Sequence, residues 1–331
     1  MASKLRKNSQ DKRALLANVA LLYYGEGLTQ NDIASRIDVA RTTVVNLLKE
    51  AREEGVVDIR VDGKSLASST ASLRLRDKYG LEEVYIASTL NEAKPNSPEE
   101  VMRQLGRVGS TALSETIQQG DRLGIAWGLP VQAVADQMLV TETPGVEVYQ
   151  MIGSLISDFV PASEKCSIDI ATKLGAPCYT LHAPALASTV EVAAILEAEP
   201  TIKAQLAALK TLDTAVVSIG DVTDTTPMAL SGMVTRQELA RARSAGAVGI
   251  LCCRYIDRNG DLLSLPPDDR IIAARLDDIR RARRRLMVVG GDSRVEATRA
   301  AIKGGYVTHL CTDKSLAEML LTDPSNEPAM R

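Results

Sequence analysis

The chain has 331 residues, 45% of them hydrophobic, and a formal net charge of −3. That length points to two domains, and no apolar run approaches the ~18 residues that a membrane span needs. The charge balance excludes a basic nucleic-acid coat, and one Trp and one Phe are too few to stack single-stranded nucleic acid, so duplex DNA is the nucleic-acid partner left open. The first residues, Met1 to Lys12, are polar and charged, unlike a secretory leader, and the protein is expected in the cytoplasm. The five cysteines (Cys166, Cys178, Cys252, Cys253, Cys311) lack metal-ligand spacing, and only His182 and His309 could join them. Adjacent Cys252 and Cys253 are expected on opposite faces of one strand, unable to share an ion. Buried free thiols are the expectation, with no metal and no cofactor.

Charge clusters at the start. Lys4, Arg6, Lys7, Lys12 and Arg13 stand against Asp11, five bases to one acid, a net +4 that reads either as a phosphate-tracking arm or as a solvated terminus. Leu15, Val19, Leu22 and Tyr23 then mark one helical face, broken by Gly25 and Gly27. Thr29 opens a second helix with Asp32 three positions on, the spacing of a capping box. Its inner face is Ile33, Ala34 and Ile37, and Asp38-Val39 forms a tight turn in which Asp38 stands where glycine is common. A third helix runs from Arg41 to Gly55, with Val44, Leu47, Leu48 and Ala51 inward. Val57, Ile59 and Val61 alternate with charged residues as a half-exposed strand does. This order is that of a winged helix-turn-helix over residues 1–62. Its third helix turns Arg41, Thr42, Thr43, Asn46 and Lys49 outward, where short polar side chains meet base edges in a major groove. Gln30 and Arg41 sit at helix starts, which favour phosphate. A small packing domain with a solvated polar face is the competing reading.

Residues 63–80 read as a Gly/Ser/Lys-rich linker, with a connecting helix from Ala71 to Lys78 that ends at Tyr79-Gly80. Over 81–331, strand-like runs (84–88, 123–127, 146–152, 215–220, 248–255, 286–290 and 309–312) alternate with helical stretches (98–119, 131–139, 190–209, 236–244 and 293–303). Such alternation predicts an α/β domain with a Rossmann-like parallel sheet covered on both faces. Its ligands would bind at the carboxyl ends of the strands.

The loops after those strands therefore supply the candidate site. Trp127-Gly128-Leu129, Gly153, Gly220-Asp221 and Gly290 to Arg294 let backbone approach a ligand closely, and the last of these runs into a helix start that suits an anion. Ser293-x-x-Glu296 can equally be a capping box. Asp221 and Asp257 can accept from hydroxyl groups or simply shape turns. Gln150 can donate to a ligand or lie within its strand. Trp127 can stack on a ligand or pack in the core, and Asp313 can close the pocket or cap the next helix. The arginine-rich run 280–285 reads as a solvated helix end.

Several of these segments carry a resemblance. LLYYGEGLTQNDIASRIDVARTTVVNLLKEAREEGVVDIRV (Leu21 to Val61), GIAWG (Gly124 to Gly128), VYQMIGS (Val148 to Ser154), AVGILCCRYIDRNG (Ala247 to Gly260), VVGGDSRVEATRAAIKGG (Val288 to Gly305) and HLCTDKSLAEML (His309 to Leu320) follow in the order of one family. Together they resemble the SorC/DeoR-like family of sugar-responsive bacterial transcriptional regulators, over roughly Leu15 to Leu321. The resemblance implies a winged helix-turn-helix followed by an effector domain similar in fold to sugar-phosphate isomerases. It implies operator DNA as partner, a sugar, polyol or sugar-phosphate effector, a homodimer or homotetramer, and repression of a carbohydrate or polyol operon. It also implies effector contacts from Trp127, Gly128, Leu129, Gln150, Gly153, Asp221, Asp257, Gly291, Arg294 and Asp313.

The sequence departs from that family in four places. Ala40 stands where Ser is usual. Leu129-Pro130 replaces a hydroxyl-bearing phosphate loop, and Pro130 has no N–H to give. Arg294 stands for a lysine, and Lys314 for an acid. These changes point to an altered effector, unphosphorylated or gripped from the Arg294 side. A sugar-phosphate isomerase or deaminase is the competing function, and no convincing acid–base pair stands out for it.

Overall fold

In a computed structural model, residues 12–57, 63–87, 97–155 and 162–322 are described. The chain divides into two compact units at positions 61 and 62.

The first unit is helical. Helix α1 covers residues 12–20 and runs on into a π-turn, Leu21–Gly25. Helices α2 (Gln30–Arg36) and α3 (Arg41–Glu53) follow. The Thr29 capping box forms: the Asp32 N–H donates to Thr29 Oγ1 at 3.3 Å and the Thr29 N–H to Asp32 Oδ2 at 3.2 Å. Asp38 takes the left-handed conformation, φ 54°, and so brings the Val39 N–H onto the Ala34 carbonyl at 3.0 Å. Val19, Leu22, Ile33, Ala34, Val44 and Leu48 close into one core cluster, and Leu16, Ala20 and Ala51 into another. Ala40 is the N-cap of α3, extended at ψ 147° and making no side-chain cap. The expected wing strand falls on 58–61 and the basic arm on 1–11, both outside the described residues. Lys12, read as part of that arm, is instead paired with Glu50 on α3.

The second unit begins sooner than the linker reading implied. Residues 63–67 are helical (α4, Gly63–Ala67) and lead into α5 (Thr70–Tyr79), whose start is capped by Ser69 and whose end is Gly80 at φ 64°. Ala67 and Leu75 are buried in the domain core, so this segment packs onto the domain despite its polar composition.

Seven parallel strands make the main sheet. In chain order they are β1 (Glu83–Ala87), β2 (Arg122–Ile125), β3 (Glu147–Gln150), β4 (Cys178–Tyr179), β5 (Thr214–Val217), β10 (Arg284–Val289) and β11 (His309–Asp313). Their order across the sheet is β1-β11-β10-β5-β2-β3-β4, every pair parallel. The helices around them include α6 (Pro98–Thr116), α7 (Leu129–Gln137), α8 (Ser163–Leu174), α9 (Val190–Ala198) and α10 (Pro200–Ala208). Glycines set the closest helix contact, since a Cβ on Gly106 of α6 would come within 2.3 Å of the Ala133 carbonyl of α7.

Between β5 and β10 lies a small antiparallel sheet of β6 (Ile219–Gly220), β7 (Gly249–Leu251), β8 (Arg254–Ile256) and β9 (Leu262–Leu263). The connection also carries α11 (Pro227–Leu230), α12 (Arg236–Ser244) and α13 (Leu276–Arg281), and after β10 and β11 come α14 (Val295–Lys303) and α15 (Lys314–Leu321).

Several boundaries differ from the sequence expectation. The helix expected over 190–209 breaks at Pro200, which starts a new helix because its ring cannot continue the old one. The strand expected over 248–255 is two strands folded back on each other at Cys252-Cys253. Helix α8 was not anticipated, although Cys166, Ile170 and Leu174 recur on one buried face.

In the arginine-rich run Arg280, Arg281 and Arg283 are exposed at and just after the end of α13, and Arg285 is half-buried. Arg284 is buried, bonded to both Asp121 oxygens at 2.6 and 2.7 Å and to Thr214 Oγ1 at 3.0 Å. Arg280 donates to the Gly304 and Gly260 carbonyls and to the Tyr306 hydroxyl. These guanidiniums join loops and strands at the amino end of the sheet; the solvated helix-end reading of 280–285 fits the exposed Arg280, Arg281 and Arg283 and is corrected at the buried Arg284.

The topology also fixes where a ligand can enter. Strands β2 and β5 are neighbours, but the chain leaves β2 toward β3 on one side and leaves β5 toward β10 on the other. That divergence opens a crevice beyond their carboxyl ends, the usual ligand position in open parallel sheets.

Candidate functional site

A cleft, about 700 Å³ with the open solvent at its mouth, occupies that crevice. One wall comes from the end of β2, Ala126 to Pro130. Gly128 takes φ 142°, outside the range that suits other residues, and turns the chain directly into α7. The opposite wall is Ser218 to Gly220, after β5, with Thr226 to Met228 at the start of α11. Ile250, Cys252 and Cys253 close it from the hairpin, Met102 and Ile152 add carbon, and Arg294 brings the charge.

The hairpin turn overturns the expectation for its two cysteines. Leu251 pairs with Arg254, so Cys252 and Cys253 form a two-residue connection, both with positive φ, 47° and 65°. Such turns match strand twist but favour Asn and Gly, because a Cβ is strained at positive φ. Both residues therefore stand at a turn on the cleft wall and not within one strand. Burial pushes the Cys253 thiol up to about 12, against a hydrogen bond from the Trp127 indole that works the other way. Cys252 is raised too, chiefly by burial. At neutral pH both are neutral thiols that contribute soft, weakly polar surface. The hairpin is held from behind by Arg254, which is buried, ion-paired with Asp268 and directed at the Ala274 and Ile271 carbonyls.

Four of the ten residues expected to contact an effector line the cleft: Trp127, Gly128, Leu129 and Arg294. Trp127 also belongs to the core cluster, which bears out its packing reading. Arg294 is steadied by a 2.6 Å bond from Nη1 to the Gly290 carbonyl.

The other six do not line the cleft and hold its walls in place. Gln150 is fully buried; its Nε2 donates to the Ile152 carbonyl at 2.7 Å and its Oε1 accepts from the Leu181 N–H at 3.0 Å. Gly153 permits close backbone packing, since a Cβ there would lie 2.6 Å from the Ala183 carbonyl. Asp221 accepts from the Ser293 and Thr223 hydroxyls, each at 2.6 Å, and so joins the β6 loop to the Arg294 loop. That bond uses the Ser293 hydroxyl, and α14 starts without a side-chain cap, which corrects the capping-box reading of Ser293 and Glu296. Asp313 caps α15 through the Leu316 N–H at 2.8 Å and accepts from the Gly291 N–H at 2.7 Å, fixing Gly291 at φ 94°. Asp257 shapes its turn, accepting from the Asn259 and Asp261 N–H groups at 2.8 and 2.9 Å.

Sequence reasoning missed Ser218, Thr226, Met228, Ile250 and the cysteine pair. Ser218 directly follows β5, but the apolar run 215–220 hid the strand end and moved attention to Asp221. Nothing in the run Gly249 to Ile256 signals a turn, because its two central residues are cysteines.

In the first unit, α3 carries the expected DNA-reading face. Arg41, Thr42, Thr43, Asn46 and Lys49 are exposed, and Val44 and Leu48 on the other side are buried. Gln30, at the start of α2, accepts from Arg41 Nε at 3.3 Å, so the two residues expected at phosphate lie together.

Among the described residues no helix is long and apolar enough to cross a membrane, and no group of three or more His, Cys, Asp or Glu could hold a metal ion.

Comparison with known proteins bears on both regions. The Sugar-bind family model, a sugar-binding domain, matches residues 64–322. The transcriptional regulator YjhU of Escherichia coli is 35% identical over 91% of this chain and 92% of its own. A deoxyribonucleoside regulator of Bacillus subtilis is 28% identical over 95% of this chain and 99% of its own. The crystal structure of the full-length sorbitol operon regulator SorC of Klebsiella pneumoniae shares the fold, with a TM-score of 0.69 at 24% identity over 94% of this chain and 100% of that one.

Proposed function

The chain belongs to the sugar-binding-domain family of transcriptional regulators, and from that premise we propose that it is a sequence-specific DNA-binding regulator controlled by a small sugar- or polyol-derived effector. The observation that carries this reading is the pairing, in one chain, of an outward polar helix in a helix-turn-helix with a cleft at a sheet switch point.

Arg41, Thr42, Thr43, Asn46 and Lys49 read bases and phosphate, and Gln30 supports Arg41 at the backbone. The effector enters between the end of β2 and α11, resting on Trp127, Gly128 and Leu129 with Arg294 at the charged side. Asp221, Gln150, Gly153, Gly291 and Asp313 keep these loops at their spacing, and Asp257 keeps the turn after β8. The protein acts in the cytoplasm as a homo-oligomer of two or four chains and represses a carbohydrate or polyol operon. Operator half-site spacing follows the symmetry of such an oligomer, so an effector that shifts subunit packing changes DNA affinity, a coupling of ~1–3 kcal/mol in typical cases.

An enzymatic reading has little to stand on. The relatives are named as regulators, and among the described residues lining the cleft none is a carboxylate or imidazole able to move a proton.

The test is an electrophoretic shift with the DNA upstream of the protein's own gene, with and without sugars, polyols, their acids and their phosphates. Specific binding altered by one compound is the expected result. Absence of specific binding with every compound, together with turnover of a sugar phosphate, contradicts the reading.

A further inference from the structure

The chemistry of the cleft narrows the effector beyond the class just proposed. A phosphate ester carries ≈ −1.5 to −2 charge at pH 7 and needs several converging donors. Helix α7, where a phosphate would sit, starts Gly128-Leu129-Pro130. Pro130 has no N–H, the Leu129 side chain bears no hydroxyl, and the Gln132 N–H is taken by the Gly128 carbonyl at 2.9 Å. That leaves only the Leu129 and Val131 amides of the first turn.

Arg294 is the one cation among the described lining residues, and the loop that carries it rests on two carboxylates, Asp221 and Asp313. This balance suits a single negative charge and disfavours two. The guanidinium spends an Nη1 proton on Gly290 and keeps the rest of its fork, a shape that pairs bidentately with a planar carboxylate.

The remaining surface limits the hydroxyl count. Trp127, Met228, Ile250 and Met102 give carbon, and Ser218 and Thr226 give the side-chain hydroxyls. A ligand hydroxyl buried against carbon without a partner loses its hydrogen bonds to water and gains none, so a fully hydroxylated chain fits poorly and a partly deoxygenated one well.

We infer that the cleft takes an unphosphorylated short-chain carboxylic acid derived from a sugar, its carboxylate on Arg294, one or two hydroxyl or oxo groups toward Ser218 and Thr226, and a deoxygenated face against Trp127. This rests on the reading of the cleft as the effector site.

The experiment uses the full chain in calorimetric titration and operator-shift assays. Aldonates and deoxyaldonates of four to six carbons are compared with the matching alditols and the matching sugar phosphates. A deoxyaldonate is expected to bind at least tenfold more tightly than its alditol and its phosphate, and to change the operator shift. Arg294→Gln is expected to lose that tenfold preference and Arg294→Lys to keep part of it, with circular dichroism confirming the fold of each. The double variant Leu129→Thr, Pro130→Ser supplies an amide N–H and two hydroxyls, and is expected to gain affinity for phosphates. Tighter binding of a phosphate or an alditol to the unaltered protein overturns the inference, as does failure of every acid to bind while specific operator binding persists. Failure of specific operator binding overturns the regulator reading instead.

Discussion

Residues 12–57 and residues 63–322 present their working surfaces in opposite ways. The first unit buries a few side chains among three helices and turns its polar groups outward along α3. The second builds a large double-sided core and places its site inside a crevice whose walls come from segments spread between Met102 and Arg294. A helix face needs only a packed opposite side to be presented. A cleft needs each contributing loop pinned at the right spacing, which is the work of Gln150, Asp221, Asp313 and Arg254. Damage to the first unit should therefore remove DNA reading and spare ligand binding, whereas damage to the sheet should remove the cleft.

The largest expected effect is in the sheet. Arg284→Met leaves the Asp121 carboxylate buried without its partner, and such a loss costs about 3–5 kcal/mol. Urea unfolding followed by Trp127 fluorescence should show the drop, since Trp127 is the sole tryptophan and stands in the cleft wall. Next comes Ile33→Ala, which opens a cavity in the small core at a cost of about 2–5 kcal/mol. Operator binding should fall away while ligand titration of the cleft is unchanged; loss of both together would break the contrast between the units. Asn46→Ala changes no core contact and should cost about 1–3 kcal/mol of operator discrimination, measured against mismatched sites, whereas Arg41→Ala, at phosphate, should weaken matched and mismatched sites alike. Ala40→Ser supplies the missing cap of α3 and should stabilise the first unit by about 1 kcal/mol, seen as a higher denaturant midpoint for its transition alone.

The smallest expected effect depends on pH and belongs to the second unit. Burial holds the His309 imidazole below its ordinary 6.5; Glu82 at 3.8 Å opposes this, and Arg284 and Arg285 add to it. The unfolded chain takes up the proton more readily, so the stability His309 contributes is full above that ordinary value and falls as the pH drops below it. His309→Gln should flatten this part of the profile when urea midpoints at about pH 7.5 and about pH 5.5 are compared.

The two units were also unequally legible in the amino-acid sequence. In the first, the period of Val44, Leu48 and Ala51 fixes the buried side of α3, and the exposed residues follow from the 3.6-residue turn. Thr29 with Asp32, and Asp38 in the turn, were readable because each solves a local backbone problem. In the second, alternating strands and helices announced the parallel sheet and so the end at which a ligand binds. The individual lining residues depend on strand order, which pairs β2 with β5 across 91 positions of sequence between Leu123 and Thr214 and leaves no local trace. The polar loop residues drew attention as ligand contacts, yet Asp221, Asp313 and Gln150 satisfy neighbouring backbone and hydroxyl groups. Cys252 and Cys253 were unreadable for the opposite reason, since an apolar run concealed a turn usually written with Asn and Gly.

Trp127 makes the central claim directly measurable. Its fluorescence is followed as ligand is titrated into the protein, once alone and once saturated with operator DNA. Linkage requires that a ligand which changes operator affinity by some factor have its own affinity changed by operator by the same factor. The account predicts a ligand-dependent Trp127 signal whose midpoint shifts on adding operator by the factor seen in the reciprocal DNA titration. A Trp127 signal with the same midpoint in both titrations would contradict it, for the cleft would then bind its ligand without governing DNA.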